Sequence, residues 1–332
     1  MILICGGLAD LVTELVCARI ENLGYEYRLL NLGLYPAHYR VSCTWDEGEL
    51  YGSIACDDWE LDLADVSGIF VRYIDQKGHL GFPLLPTAMQ LPALVECQAG
   101  IMAVIECFPG LAVNRICGSM SNHSKPYQAL FIREAGFRIP RTLITSDSDA
   151  ARTFIEECGG NVIFKSLSGI RSIVRRVEKN DFQRLRFLQY CPVQFQEFIA
   201  GDNVRVHVVG DKIFSTRART EAVDYRYAEQ QGFYLEMQAV TLPREIEGAC
   251  LTLTQRAELV FSGIDLIETP DGEYYCLEVN PAPGFVFYER HTGQPISTAL
   301  VELLHQGDAG VVVTGADFSR RQTTAKHRLK QT

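Results

Sequence analysis

Apolar and polar positions along the chain follow two periods. Residues 2–5 are uniformly apolar, and Gly6-Gly7 precede a stretch from about 9 to 23 whose apolar residues recur at helical spacing. Gly24 ends that stretch and YEYRLLNL reads as a strand, which together predict a βαβ opening. VSCTW and LYGSIAC alternate around Asp46-Glu47-Gly48, the pattern of a hairpin. GIFVRY (68–73) is a further strand. After a loop holding Gly78, Gly81, Pro83 and Pro86, a long helix runs to about 107, and LAVNR closes this segment near 115.

The texture then changes. Residues 119–136 read as a helix, RIPRTLIT as a strand, and Ser146 or Asp147 as the cap of a helix reaching Cys158. NVIFKSLSG and SIVRRV are strands, 180–189 a helix, and VQFQEFI, NVRVHVVG and KIFSTRA strands in close order. Beyond an irregular stretch, 245–262 reads as one helix. GIDLIET and EYYCLEVN pair around Pro270-Asp271-Gly272, and Gly293 opens a final helix to about 306. The order predicts an α/β front with an open sheet, followed by an α+β region.

Composition narrows the classes. A chain of 332 residues with 47% hydrophobic and 22% charged side chains is ordinary globular protein, long enough for two or three domain-sized units. A net charge of −10 leaves no overall basic footprint for nucleic acid, although a local lysine cluster can still hold phosphates. Eleven scattered cysteines, an odd number without C-x-x-C, argue for reduced thiols and against a disulfide framework or zinc site. The N-terminus has acids within ten residues and no basic flank, and no apolar run is long enough to span a bilayer. The expectation is a soluble, cytoplasmic protein that binds neither membrane nor nucleic acid. Residues 311–332 form a basic tail, with five Lys/Arg and no acid from 318 onward.

Chemistry concentrates in a few places. Glu278 and Asn280 stand two apart on a strand and so share a face, with Asp265 on the paired strand. Two carboxylates and an amide oxygen are hard ligands, able to hold Mg²⁺ while leaving positions for phosphate oxygens and water. A buried polar network is the other reading of any one of them. Lys125, at a helix start after SNHS, and Lys165, directly after VIF, are candidate phosphate ligands, though either alone reads first as a surface lysine. The Ser-rich loop SLSGIRS after Lys165 can offer N–H groups and hydroxyls to phosphate. Gly6-Gly7 lack the rest of G-x-G-x-x-G, and no Walker loop occurs. In VQFQEFIAGDNVRV, Gln196, Glu197 and Phe198 can present backbone to a purine, with Asp202 or Asn203 reaching a ribose; a plain hairpin connection is the alternative.

In their order along the chain, Lys125, Lys165, QEFI, DYR (224–226), GIDL and EVNPAPGF resemble the ATP-grasp superfamily. The resemblance covers roughly residues 1–310. It is strongest to the branch of ribosomal-protein glutamate ligases and graspetide (microviridin-type) peptide ligases, with YERHTGQPI and VSGIFVRY on the graspetide-like side. It implies a front domain over 1–115, a central ATP-grasp subdomain over 116–195 and a C-terminal subdomain with the metal site over 196–310. It further implies Lys125 and Lys165 on the nucleotide phosphates, Gln196, Glu197 and Phe198 as the adenine hinge, and Arg226 facing the terminal phosphate. Asp265, Glu278 and Asn280 would bind magnesium, usually two ions, with manganese as a substitute. Arg205 would steady charge at an acyl phosphate or hold a substrate carboxylate. Relatives often carry a ribose-binding acid where Asn203 stands, and Asp202 is the neighbouring alternative.

The implied activity is ATP-dependent joining of a carboxylate to an amine through an acyl phosphate, releasing ADP, with an amino acid or peptide as substrate. A homodimer fits the resemblance, but no stretch of sequence demonstrates one. Two rivals remain at this stage: an ATP-binding module without chemistry, and a small-molecule kinase. Arg72 and Arg115 are candidates to hold an acidic substrate or to serve as surface ion-pair partners. His207 reads as structural, and His291 as the better candidate for acceptor-side work.

Overall fold

Strand β1 (Ile2–Gly6) is buried on both faces and pairs in parallel with its neighbours, as its unbroken apolar run requires. In the computed structural model, which describes residues 1–72, 87–120, 124–167, 174–222, 225 and 232–307, the chain divides into two units. The first holds Met1–Ile116 together with the chain from Ser297 on; the second is Cys117–Ile296.

In the first unit, α1 (Leu11–Asn22) follows β1 and is capped by Asp10, whose carboxylate accepts from Thr13 N (3.0 Å). Then come β2 (Tyr27–Asn31), the three-stranded antiparallel sheet β3 (Arg40–Asp46), β4 (Glu49–Ala55) and β5 (Glu60–Asp62), and β6 (Gly68–Val71). Glu47 and Gly48 at the β3–β4 turn both have positive φ (50° and 88°), the geometry that lets a two-residue loop follow strand twist. Helix α2 (Thr87–Cys107) leads to β7 (Leu111–Val113), completing a parallel sheet of order β2-β1-β6-β7.

The second unit begins with α3 (Ile116–Ser119), whose first residue lies across the boundary, and α4 (Lys125–Glu134). The expected helix over 119–136 is thus two pieces among the described residues, with Ser124 capping the second. β8 (Thr142–Thr145), α5 (Ser148–Glu157), β9 (Val162–Lys165) and the two-residue β10 (Arg175–Arg176) follow. The helix expected at 180–189 is two short 3-10 turns, Lys179–Gln183 and Leu185–Tyr190, and β11 (Val193–Glu197) comes next. The resulting antiparallel sheet has order β10-β9-β11-β8. Leu143, Phe164 and Phe195 pack on one side of it against Ala151, Phe154 and Ile155 of α5.

β12 (Asp202–Val209), β13 (Lys212–Arg219), β14 (Glu236–Val240), α6 (Arg244–Arg256), β15 (Phe261–Glu268) and β16 (Tyr274–Asn280) build the larger sheet, order β14-β13-β12-β15-β16. β14 lies in the stretch that sequence periodicity reads as irregular. α6 ends six residues before the expected 262, because Glu258 turns left-handed (φ 56°) and the apolar run from Leu259 feeds β15. Val204, Val206, Val208, Ile264, Leu266, Cys276 and Val279 face Ile132 of α4 and Cys250 and Leu253 of α6. Last come α7 (Val286–Thr292) and α8 (Ile296–Gln306). Gly293 does not open the final helix as expected: at φ 70° it is the left-handed residue that closes α7. α8 packs in the first unit, where Ser67 Oγ donates to Leu304 O (3.0 Å).

All eleven cysteines are free thiols, and no helix among the described residues is long and apolar enough to cross a membrane. The basic tail and the loop over 73–86 lie outside the described residues.

Candidate functional site

A β-bulge decides which way the acidic strand points. Strict alternation through YYCLEVN would put Glu278 and Asn280 on one face with Tyr274 and Cys276, in the core. Instead the register slips: Leu266 pairs with Cys276 but Asp265 pairs with Glu278, leaving Leu277 as the extra residue. Past the bulge Val279 takes the core position, and Glu278 and Asn280 turn to the opposite face.

That face carries two cross-strand rows. One runs Thr216, Arg205, Asp265, Glu278; the other runs Phe214, His207, Gly263, Asn280. Arg205 Nη1 donates to Asp265 Oδ1 (2.7 Å), and both side chains are largely buried. The guanidinium lies across Gly263, where a Cβ would stand 2.2 Å from Nη2, and its carbon sits 5.7 Å from the Tyr288 ring centre. Burial alone would lower the Arg205 pKa, but the adjacent Asp265 carboxylate holds it above its ordinary value. His207 is fully buried and pushed well below its ordinary pKa by burial and then by Arg205, so the ring is neutral; Nε2 lies 3.4 Å from the Gly284 carbonyl. This agrees with its structural reading. His291 Nδ1 contacts the Phe287 carbonyl (2.7 Å) within α7.

Lys125 reaches the same place from α4. One turn on, Gln128 Nε2 donates to Val279 O (2.7 Å) and Gln128 Oε1 accepts from Val279 N (3.4 Å), clamping the helix to β16. Lys125 Nζ then lies 3.3 Å from Glu278 Oε2. Asn280 Oδ1 accepts from Ala282 N (2.9 Å), which starts the Pro281–Gly284 exit turn.

The smaller sheet carries the second group. Lys165 is in register with Gln194, and Thr142 with Gln196, all on the side away from α5. Lys165 is buried and donates to Gln196 Oε1 (3.2 Å), while Gln196 Nε2 donates to Thr142 Oγ1 (3.0 Å). The amides of Glu197 and Phe198 donate to Arg141 O and Asn161 O (both 2.9 Å), so those two N–H groups are already engaged. The Arg176 guanidinium stacks 3.7 Å from the Phe198 ring centre, a contact the sequence did not suggest.

Asp202 and Asn203 point oppositely. Asp202 Oδ2 pairs with Arg219 Nε (2.8 Å) and Arg217 Nε (3.6 Å), on the face shared with Val204, whereas Asn203 falls on the Arg205 face. Arg226 and most of the loop after Lys165 lie outside the described residues; Tyr225 is described, and its hydroxyl is 2.7 Å from that of Tyr288. The front arginines are both engaged within the first unit. Arg115 donates to the carbonyls of Ile105, Glu106, Phe108 and Gly110 (2.8–2.9 Å), closing the end of α2. Arg72 forks onto Asp10 (both bonds 3.0 Å). Sequence reasoning missed Gln128, Gly263 and Tyr288; the first had a signal, a polar residue one helical turn from a candidate lysine.

Asp265, Glu278 and Asn280 supply oxygen donors on one face beside positive charge, a donor set suited to Mg²⁺. Among the described residues no group of three or more His, Cys, Asp or Glu is placed to hold a metal. Two carboxylates and an amide therefore need further oxygens, such as those of phosphate and water.

A family model described as a RimK-like ATP-grasp domain matches residues 121–304. A probable alpha-L-glutamate ligase of Shewanella loihica is 23% identical over 217 residues, 62% of this chain and 71% of that protein. Among solved structures, the macrocyclase MdnC bound with precursor peptide MdnA, from Microcystis aeruginosa, is 26% identical with a TM-score of 0.78, covering 93% of this chain and 100% of that one. The ATP-grasp ligase PsnB complexed with a phosphomimetic variant of its minimal precursor, Mg and ADP is 26% identical with a TM-score of 0.76, covering 92% and 98%.

Proposed function

The chain belongs to the RimK-like ATP-grasp family, which uses ATP and Mg²⁺, and on that premise we propose how its own residues carry out ATP-dependent amide-bond formation. The reaction is ADP-forming. A substrate carboxylate oxygen takes the γ-phosphoryl group of ATP, ADP leaves, and an amine then forms the C–N bond as phosphate departs and the nitrogen loses its proton. Such phosphoryl transfer rests on alignment and charge neutralisation rather than on a covalent nucleophile.

Asp265, Glu278 and Asn280 would hold the metal, one or two ions of Mg²⁺ or Mn²⁺, which when bound neutralises phosphate charge. Lys125 and Lys165 bind nucleotide phosphates, Gln196–Phe198 line the adenine, and Asn203, on the Arg205 face, takes the ribose position. Arg205, with Arg226, steadies the charge that develops at the acyl phosphate. The observation that carries this reading is the row Arg205, Asp265, Glu278 with Lys125 against its end. The substrate is an amino acid or a peptide that offers the carboxylate, a reading supported by the precursor peptides bound in MdnC and PsnB. The working assembly is a homodimer in the cytoplasm.

ADP release screened against amino acids and acidic peptides, with mass spectrometry of products, tests the proposal. Loss of one water per coupling is expected. A gain of phosphate would mean a kinase, and ATP binding without turnover a regulatory module. Glu278→Ala, folded by circular dichroism, is expected to lose nearly all turnover; substantial retained turnover would rule out the metal assignment.

A further inference from the structure

Each carboxylate assigned to the metal already carries a protein cation. Arg205 sits on Asp265 at 2.7 Å and Lys125 on Glu278 at 3.3 Å, with side-chain exposures of 6% and 16%, and 17% and 23%. Asp265 and Glu278 are directly opposed across the strands, where side chains start only about 5 Å apart. Two anions that close, largely withdrawn from water, repel unless compensated.

The two cations are held differently. Arg205 lies under Tyr288 and across Gly263, fixed on most sides by packing. Lys125 comes from the first turn of α4 on a flexible four-carbon stem, and Gln128 anchors the helix backbone without touching the ammonium. Lys125 can therefore leave Glu278 without disturbing the sheet, whereas Arg205 cannot leave Asp265.

We propose that Lys125 is a built-in counterion for Glu278, occupying the carboxylate in the nucleotide-free protein and passing to the phosphates when nucleotide arrives. This rests on the assignment of Asp265, Glu278 and Asn280 to the metal. A divalent cation alone must compete with the Lys125 ammonium and approach the fixed Arg205 guanidinium. Nucleotide gives Lys125 another partner and frees Glu278, so metal and nucleotide bind with positive, reciprocal coupling.

The test measures Mn²⁺ binding to the full chain by electron paramagnetic resonance, with and without ADP. For the unaltered protein, ADP is expected to tighten Mn²⁺ binding by about tenfold or more. In Lys125→Met, Mn²⁺ alone is expected to bind about tenfold more tightly than to the unaltered protein, with the ADP enhancement reduced. Lys125→Arg, which keeps the charge, should retain the coupling and covers the case in which the Met variant fails to fold. Equal Mn²⁺ affinity with and without ADP, or no gain in Lys125→Met, overturns the proposal. Glu278→Gln separates the two levels. If it binds Mn²⁺ with ADP as the unaltered protein does, the metal assignment itself fails; if it loses that binding while Lys125→Met gains nothing, only the counterion role fails.

Discussion

Replacing Gly263 with alanine puts one methyl group where the Arg205 guanidinium lies. The new Cβ would be 2.2 Å from Nη2, 2.6 Å from Cζ and 2.6 Å from Pro283 Cβ, against an ordinary contact of 3.4 Å or more. Arg205 must therefore retreat by about 1.2 Å. The Arg205–Asp265 bond, 2.7 Å long, cannot survive a displacement of that size in good geometry. A hydrogen bond to a charged group is worth about 1.5–3 kcal/mol, which at about 2–4 °C per kcal/mol lowers the melting temperature by roughly 3–12 °C. On the role proposed for Arg205, loss of its positioned charge is expected to lower ADP release on the order of 10²–10³-fold. Differential scanning fluorimetry and coupled ADP release read both effects. Gly248→Ala in α6, where nothing lies within 4 Å, is the matched control and should leave both unchanged or slightly raise stability. A Gly263→Ala protein that melts and turns over like its parent would refute the assignment of Arg205 to a packed, essential position.

Three further outcomes are expected. His207 has a folded pKa depressed by burial and by Arg205, so its neutral ring contributes stability that is present above the unfolded value near 6.5 and lost as pH falls below it. Urea melts of His207→Gln should lose the corresponding slope of about 1.4 kcal/mol per pH unit below pH 6, and an unchanged slope would contradict it. Arg115→Met should cost at least about 1.5–3 kcal/mol of stability by stranding four carbonyls at the end of α2, without changing the KM of any acidic substrate; a raised KM would restore a substrate role. Asn203→Ala should raise the KM for ATP more than Asp202→Asn does, because only Asn203 shares the Arg205 face; steady-state kinetics decides.

Residue types and local pattern alone made much of this protein legible. Asp265, Glu278 and Asn280 on a hairpin, Lys165 straight after a buried run, and the Asp147 cap are short-range signals, and each lies on the element expected for it. Local pattern also placed β1, α1 and the β3–β4 hairpin, whose turn needs Glu47 and Gly48 at positive φ. It could not place what depends on partners far along the chain. The bulge at Leu277 shows only in the pairing of β15 with β16, yet it alone turns Glu278 and Asn280 out of the core. Gln128 finds Val279 across 151 residues, and so Lys125 finds Glu278. Asp202 and Asn203 are neighbours that the pleat sends to opposite faces, one into an ion-pair cluster and the other toward Arg205. Alternation dictates that neighbouring side chains diverge. Which face becomes core and which becomes site is set by the helices that pack on the sheet, a choice made in three dimensions.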